Sequence, residues 1–116
     1  MQNTTVEALY HLAEAEAWQT QQDLPVYQPA DFEREGFVHC STADQLPGTA
    51  ARFYAGREDL YLLTLDSQAL PVVYENLEGG TVLFPHVYQP LPKAAVQAVQ
   101  KVQIDGQGIM TVGANV

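Results

Sequence analysis

The stretch DLYLLTLD, residues 59 to 66, limits the fold more than any other part of the chain. It is a nearly continuous apolar run of strand length, which predicts a central strand buried on both faces. The other segments read as its partners and covers. VEALYHLA (6 to 13) reads as a first strand with Leu9 and His11 on one face and Tyr10 on the other. EAEAWQTQQ carries helix formers, and DLPVYQPADF, with its two prolines, reads as an extended surface loop running across the fold. DFERE is a turn or short helix stopped by Gly36. FVHCS follows as a short strand with Phe37 and His39 on one face and Val38 and Cys40 on the other.

Leu46, Ala50, Phe53 and Tyr54 fall at helical spacing and predict one apolar helix face ending near Gly56. Pro47 lacks an N–H and belongs in the first turn, which points to Asp44 as the N-cap, with Pro47 third in the helix. VVYENL is a strand, and EGG a turn. In TVLFPHVYQPLP three prolines exclude a long central strand. KAAVQAVQKVQI fits a short helix or a turn plus strand, and DGQGIMTVGANV resists placement. Strands and short helices without regular βαβ spacing predict an α+β fold with compact mixed or antiparallel sheets.

The 116 residues correspond to a single domain, 1 to 116, with its core at about 6 to 104. Fourteen acids against five bases give a formal charge of -9, which repels phosphate backbones and anionic lipid at long range. Nucleic acid and membrane are therefore poor partners, whereas a small anionic ligand can still be held locally by Arg34, Arg52, Arg57, Lys93 or Lys101. Cys40 is the single cysteine, so no internal disulfide forms. The first residues carry no basic region followed by a long apolar run, and a cytoplasmic location is expected. The sequence does not fix an oligomeric state.

The reactive side chains concentrate in EGFVHCST, residues 35 to 42. His11, His39 and His86 are the three histidines, each in a strand-like segment beside a tyrosine or the cysteine. A strand histidine is commonly a satisfied structural group; three of them point to a shared cleft. Adjacent His39 and Cys40 face opposite ways, and no C-x-x-C or H-x-x-x-H pair exists, so no metal site is expected. The same opposition weakens a thiol enzyme built on Cys40, which packs more naturally as a small buried hydrophobe. Ser41 and Thr42 either cap the next helix or, with free N–H groups and His39, cradle a ribose or phosphate. Glu75 alternates with Val73 and Leu77; on a buried face its carboxyl would be raised in pKa and mark a site, whereas on an exposed edge strand it is a surface acid.

LYHL, EGFVHCST, RFYAG…LYLLTLD, YEN and FPHVYQPLP, in this order, resemble the DUF952 family over about residues 8 to 100. That family is similar to the ADP-ribosyltransferase-like superfamily, which includes the RNA 2′-phosphotransferases. The resemblance implies an ADP-ribosyltransferase-like fold, NAD as a possible substrate, and a small-molecule nucleotide ligand. It implies that His11 holds a ribose and that His39 to Ser41 form the second motif. Glu75 or His86 would be the catalytic group, and His11, His39, Ser41, Thr42 and Tyr88 would bind ligand. Ala13 stands where a threonine is common in the family, and Gln89 where a glycine is. The implied chemistry is cleavage or transfer at the nicotinamide–ribose bond through an oxocarbenium-like transition state. A catalytically inactive nucleotide- or small-ligand-binding module of the same fold is the alternative.

Overall fold

The computed structural model describes residues 7–116. Val6, the start of both the anticipated first strand and the anticipated core, lies outside them. The described chain is α+β, with antiparallel sheets and few short helices. Its elements are β1 (Leu9–Glu14), α1 (Ala15–Thr20), β2 (Val26–Tyr27), α2 (Phe32–Glu35), β3 (Val38–His39) and α3 (Leu46–Phe53). They continue with β4 (Leu60–Leu65), β5 (Val72–Glu75), β6 (Phe84–Val87), β7 (Leu91–Pro92), β8 (Val96–Ile104) and β9 (Met110–Asn115).

DLYLLTLD is the inner strand β4 of a four-stranded sheet ordered β1-β4-β8-β9. Its side chains alternate between two cores, as a strand with two buried faces requires. Tyr61, Leu63 and Leu65 join Leu9, Ala13, Trp18, Tyr27, Val38 and Val87 on one side. Leu60 and Leu62 join Leu12, Leu46, Ala50, Val102 and Ile104 on the other, beneath α3. The 93 to 104 segment resolves as a 3-10 turn, Lys93–Ala95, followed by β8. The last segment, unplaced from sequence, is β9, paired to β8.

A three-stranded sheet, β3-β6-β5, abuts β1. Tyr10 and Ser41 join the two sheets through reciprocal backbone bonds of 2.8 Å each. The expected surface loop is tied down more than its prolines suggested: β2 pairs with β7, and Tyr27 is buried. The Gln21 side chain also clamps the Gln28 backbone through two 2.8 Å hydrogen bonds. This strap leads into α2, which Gly36 ends in the left-handed conformation. Among the described residues no helix is long and apolar enough to cross a membrane.

Two expectations about α3 are corrected. Phe53 lies off the buried face at 60% exposure, leaving Leu46 and Ala50 as the buried residues of the helix. Asp44 is not the cap. The Thr42 hydroxyl accepts from the Gln45 N–H (3.3 Å), the Gln45 side chain accepts from the Thr42 N–H (3.1 Å), and the Thr42 carbonyl takes the Leu46 N–H. That is a capping box, T-A-D-Q, opening the turn before the regular helix. The regular helix starts at Leu46, so Pro47 falls second in α3 rather than third.

Candidate functional site

The Tyr10–Ser41 bridge is the backbone pairing between β1 and the second sheet, and just beyond it a cleft of about 370 Å³ opens along the edge of β1. The strap supplies Pro29, Ala30, Asp31 and Arg34; β1 supplies His11, Leu12 and Glu14; Tyr27, His39, Tyr54 and Arg57 complete the lining. Outward backbone groups alternate along an edge strand. Because Tyr10 gives both of its own to Ser41, those of Leu12 point the same way, and no hydrogen bond among the described residues takes them. Leu12 itself lines the cleft.

His11 is 6% exposed and lies on the same strand face as Leu9 and Ala13. Its Nδ1 lies 2.7 Å from the His39 carbonyl, an acceptor, so Nδ1 carries the proton and Nε2 is left as a bare acceptor. That Nε2 is the one buried side-chain nitrogen or oxygen without a partner among the described residues. Desolvation lowers the pKa of His11, outweighing the bond to His39, and keeps the ring neutral.

The charges around this nitrogen nearly balance. Arg57 is neutralised by Asp59 (2.8 Å) and Glu14 (2.9 Å), and these partners raise its pKa. Arg34, by contrast, makes only long contacts to Asp31 (3.8 Å) and Glu35 (4.0 Å) and is largely exposed at the mouth. Burial raises the pKa of the Tyr27 and Tyr54 hydroxyls, so both remain protonated.

Of the three histidines expected to share a cleft, His11 and His39 meet in one. Ser41 and Thr42 do not line it. The Ser41 hydroxyl bonds that of Thr49 at 2.8 Å on the α3 side, and Thr42 is occupied by its capping box. At this turn the Thr42 and Gln45 N–H groups are each taken by the other residue's side chain.

Glu75, His86 and Tyr88 form a second cluster behind His39. His86 Nδ1 lies 2.8 Å from Glu75 Oε2, and the Tyr88 hydroxyl donates to the same oxygen. Phe37 stacks on His86 at 4.2 Å, and His39 meets His86 edge-on at 5.2 Å. The sequence leaves Glu75 either on a buried face with a raised pKa or on an exposed edge strand, and the second holds. The carboxyl is instead held below its usual range, first by the Tyr88 hydroxyl and then by His86, because Glu75 sits on the edge strand β5 and keeps access to solvent. Neither Glu75 nor His86 lines the His11 cleft; His39 stands between the two groups.

Cys40 faces the core opposite His39, and desolvation pushes its pKa up to about 12, so it is a neutral thiol. No group of three histidine, cysteine or acidic side chains among the described residues is arranged to hold a metal ion. Sequence reasoning missed Asp31, Tyr54 and the Leu12 backbone as cleft groups. They come together only through the strap and the sheet edge.

No curated protein matches the chain. Among solved structures, the crystal structure of protein CC0527 from Caulobacter crescentus is similar with a TM-score of 0.79 and 26% identity, over 90% of this chain and 93% of that one. The solution structure of CC0527 aligns with a TM-score of 0.75 and 27% identity, over 87% and 89%. A family profile described as a protein of unknown function, DUF952, matches residues 12–99. That span begins one residue after His11 and takes in Leu12–Glu14 of β1, the strap, His39 and the Glu75–His86 pair, and the chain belongs to the DUF952 family.

Proposed function

We propose that the cleft along β1 binds a nucleotide, with NAD or ADP-ribose as the reference ligands. The observation that carries this reading is the buried, unpartnered His11 Nε2. His11 lines the cleft, and a ligand that brings a hydroxyl or N–H, as a ribose does, and displaces the side chains now covering Nε2 would satisfy a group the fold leaves unpaired. The open Leu12 edge suits a carboxamide, which presents one donor and one acceptor, and Arg34 at the mouth suits a phosphate. The volume falls in the range of small-molecule pockets. The resemblance to the ADP-ribosyltransferase-like superfamily, which implies a ribose at His11, points the same way for that one contact.

A second reading, cleavage or transfer at the nicotinamide–ribose bond, is favoured by the Glu75–His86 pair lying against the far side of His39. The Cys40 thiol alternative gains no support from a buried, neutral thiol. Calorimetric titration of NAD and ADP-ribose tests the binding reading. His11→Ala should weaken both by roughly two- to twelvefold, the equivalent of about 0.5–1.5 kcal/mol for one hydrogen bond. Equal affinity in parent and variant removes His11 from the ligand site.

A further inference from the structure

We propose that His86, oriented by Glu75, takes the proton from a hydroxyl nucleophile, an alcohol or water, that attacks the ligand held in the His11 cleft. The identity of that ligand rests on the nucleotide reading above; the arrangement around His86 does not.

The imidazole is fixed on three sides. Phe37 stacks on one face with an interplanar angle of 25°, His39 meets it edge-on, and Nδ1 is committed to Glu75. An ionised carboxylate accepts, so the Nδ1 contact places the proton on Nδ1 and leaves the Nε2 lone pair bare. Tyr88 bonds the same Glu75 oxygen, which favours the ionised acid and limits its motion. His86 Nε2 makes no hydrogen bond among the described residues, and it is not sealed from solvent as His11 Nε2 is. A buried ring with one nitrogen oriented by a carboxylate and the other open is the geometry a general base requires. The exposed Tyr88 ring lies 5.3 Å from Phe37, so the two aromatic rings and Glu75 hold His86 from its face and its Nδ1 edge. His39 connects His86 to the cleft, since the residue lines the cleft and its ring meets His86 edge-on.

In the step this implies, the nucleophile's O–H bond breaks and its proton passes to His86 Nε2. The oxygen bonds to the ribosyl C1′, and the nicotinamide–ribose bond breaks. The bonding pair leaves with nicotinamide, discharging the pyridinium, and the imidazolium later returns its proton to solvent. Glu75 is then a positioning residue rather than the anion that faces the ribose.

Nitrogen-15 NMR of labelled histidine, together with nicotinamide release from NAD in water and in added methanol, tests the proposal. Neutral His86 should be the Nδ1–H tautomer in the parent, and Glu75→Ala should shift it toward Nε2–H. His86→Asn keeps a donor for Glu75 but has no basic nitrogen. It should bind NAD within about twofold of the parent while losing release and methanolysis by about 10²–10⁴-fold, the usual contribution of a general base. A parent that carries the His86 proton on Nε2, or that binds NAD yet releases nicotinamide equally well as His86→Asn or not at all, overturns the proposal and leaves the binding reading intact. A parent that binds neither NAD nor ADP-ribose at millimolar concentration overturns both.

Discussion

Burial takes His11 out of water, and the His39 carbonyl satisfies one nitrogen but not the other. A base with a depressed pKa binds fewer protons folded than unfolded between its folded value and its ordinary value of 6.5. Stability therefore rises with pH across that window. The His11 contribution is complete above about pH 6.5 and is lost as pH falls toward the folded value. Denaturant melts from pH 5 to 8 should show a steeper acid loss in the parent than in His11→Asn, which cannot protonate; superimposable curves would contradict a buried neutral ring. Protonation also removes the Nε2 acceptor, so ADP-ribose affinity should fall over the same direction of pH. Thr42 separates two roles left open by the sequence. Thr42→Ala should cost about 0.5–2 kcal/mol through its capping bond, measured by melts, with ligand affinity unchanged. A loss of affinity without a loss of stability would return Thr42 to the binding site. The placement of His11 with Leu9 was legible from strand alternation. The state of its Nε2 was not, because that depends on a carbonyl 28 residues away.

At the scale of elements, β4 was the most legible because its apolar run admits one environment, a strand covered on both faces. Leu63, fully buried opposite His11, should cost about 2–5 kcal/mol when changed to Ala, by lost transfer and a residual cavity. A melt shifted by much less would contradict the two-sided burial. β9 was illegible for the opposite reason. It is a sheet edge with exposed side chains, and its pairing to β8 supplies the order that its own pattern lacks. The turn before it has a definite constraint. Gly108 is at φ +84°, and a Cβ there would lie 2.6 Å from the Ala51 Cβ on α3. Gly108→Ala should destabilise by about 1–3 kcal/mol through backbone strain and overpacking, whereas the same change at Gly106, which meets nothing, should not clash. Comparable melts for the two variants would contradict the docking of this turn on α3.

Across the whole molecule, function is a matter of convergence. His11, the strap with Asp31 and Arg34, His39 and Tyr54 come from separate elements, and the cleft exists because the Tyr10–Ser41 bridge stops where it does. The sequence marked His11 and His39 through their strand faces, but the strap's path over β1 depends on the β2–β7 pair and the Gln21 clamp, which leave no local signature. The net charge of -9 is also an incomplete guide. Inside the cleft Glu14 and Asp31 stand against Arg57 and Arg34, which leaves a nearly neutral lining with its freest cation at the mouth. Titrating histidine-labelled protein with ADP-ribose, while following each imidazole nitrogen by NMR, tests the central claim directly. The account predicts a saturable shift of His11 Nε2 as it gains a donor, with Nδ1 still protonated toward His39. An unmoved His11 Nε2 at millimolar ADP-ribose would contradict it.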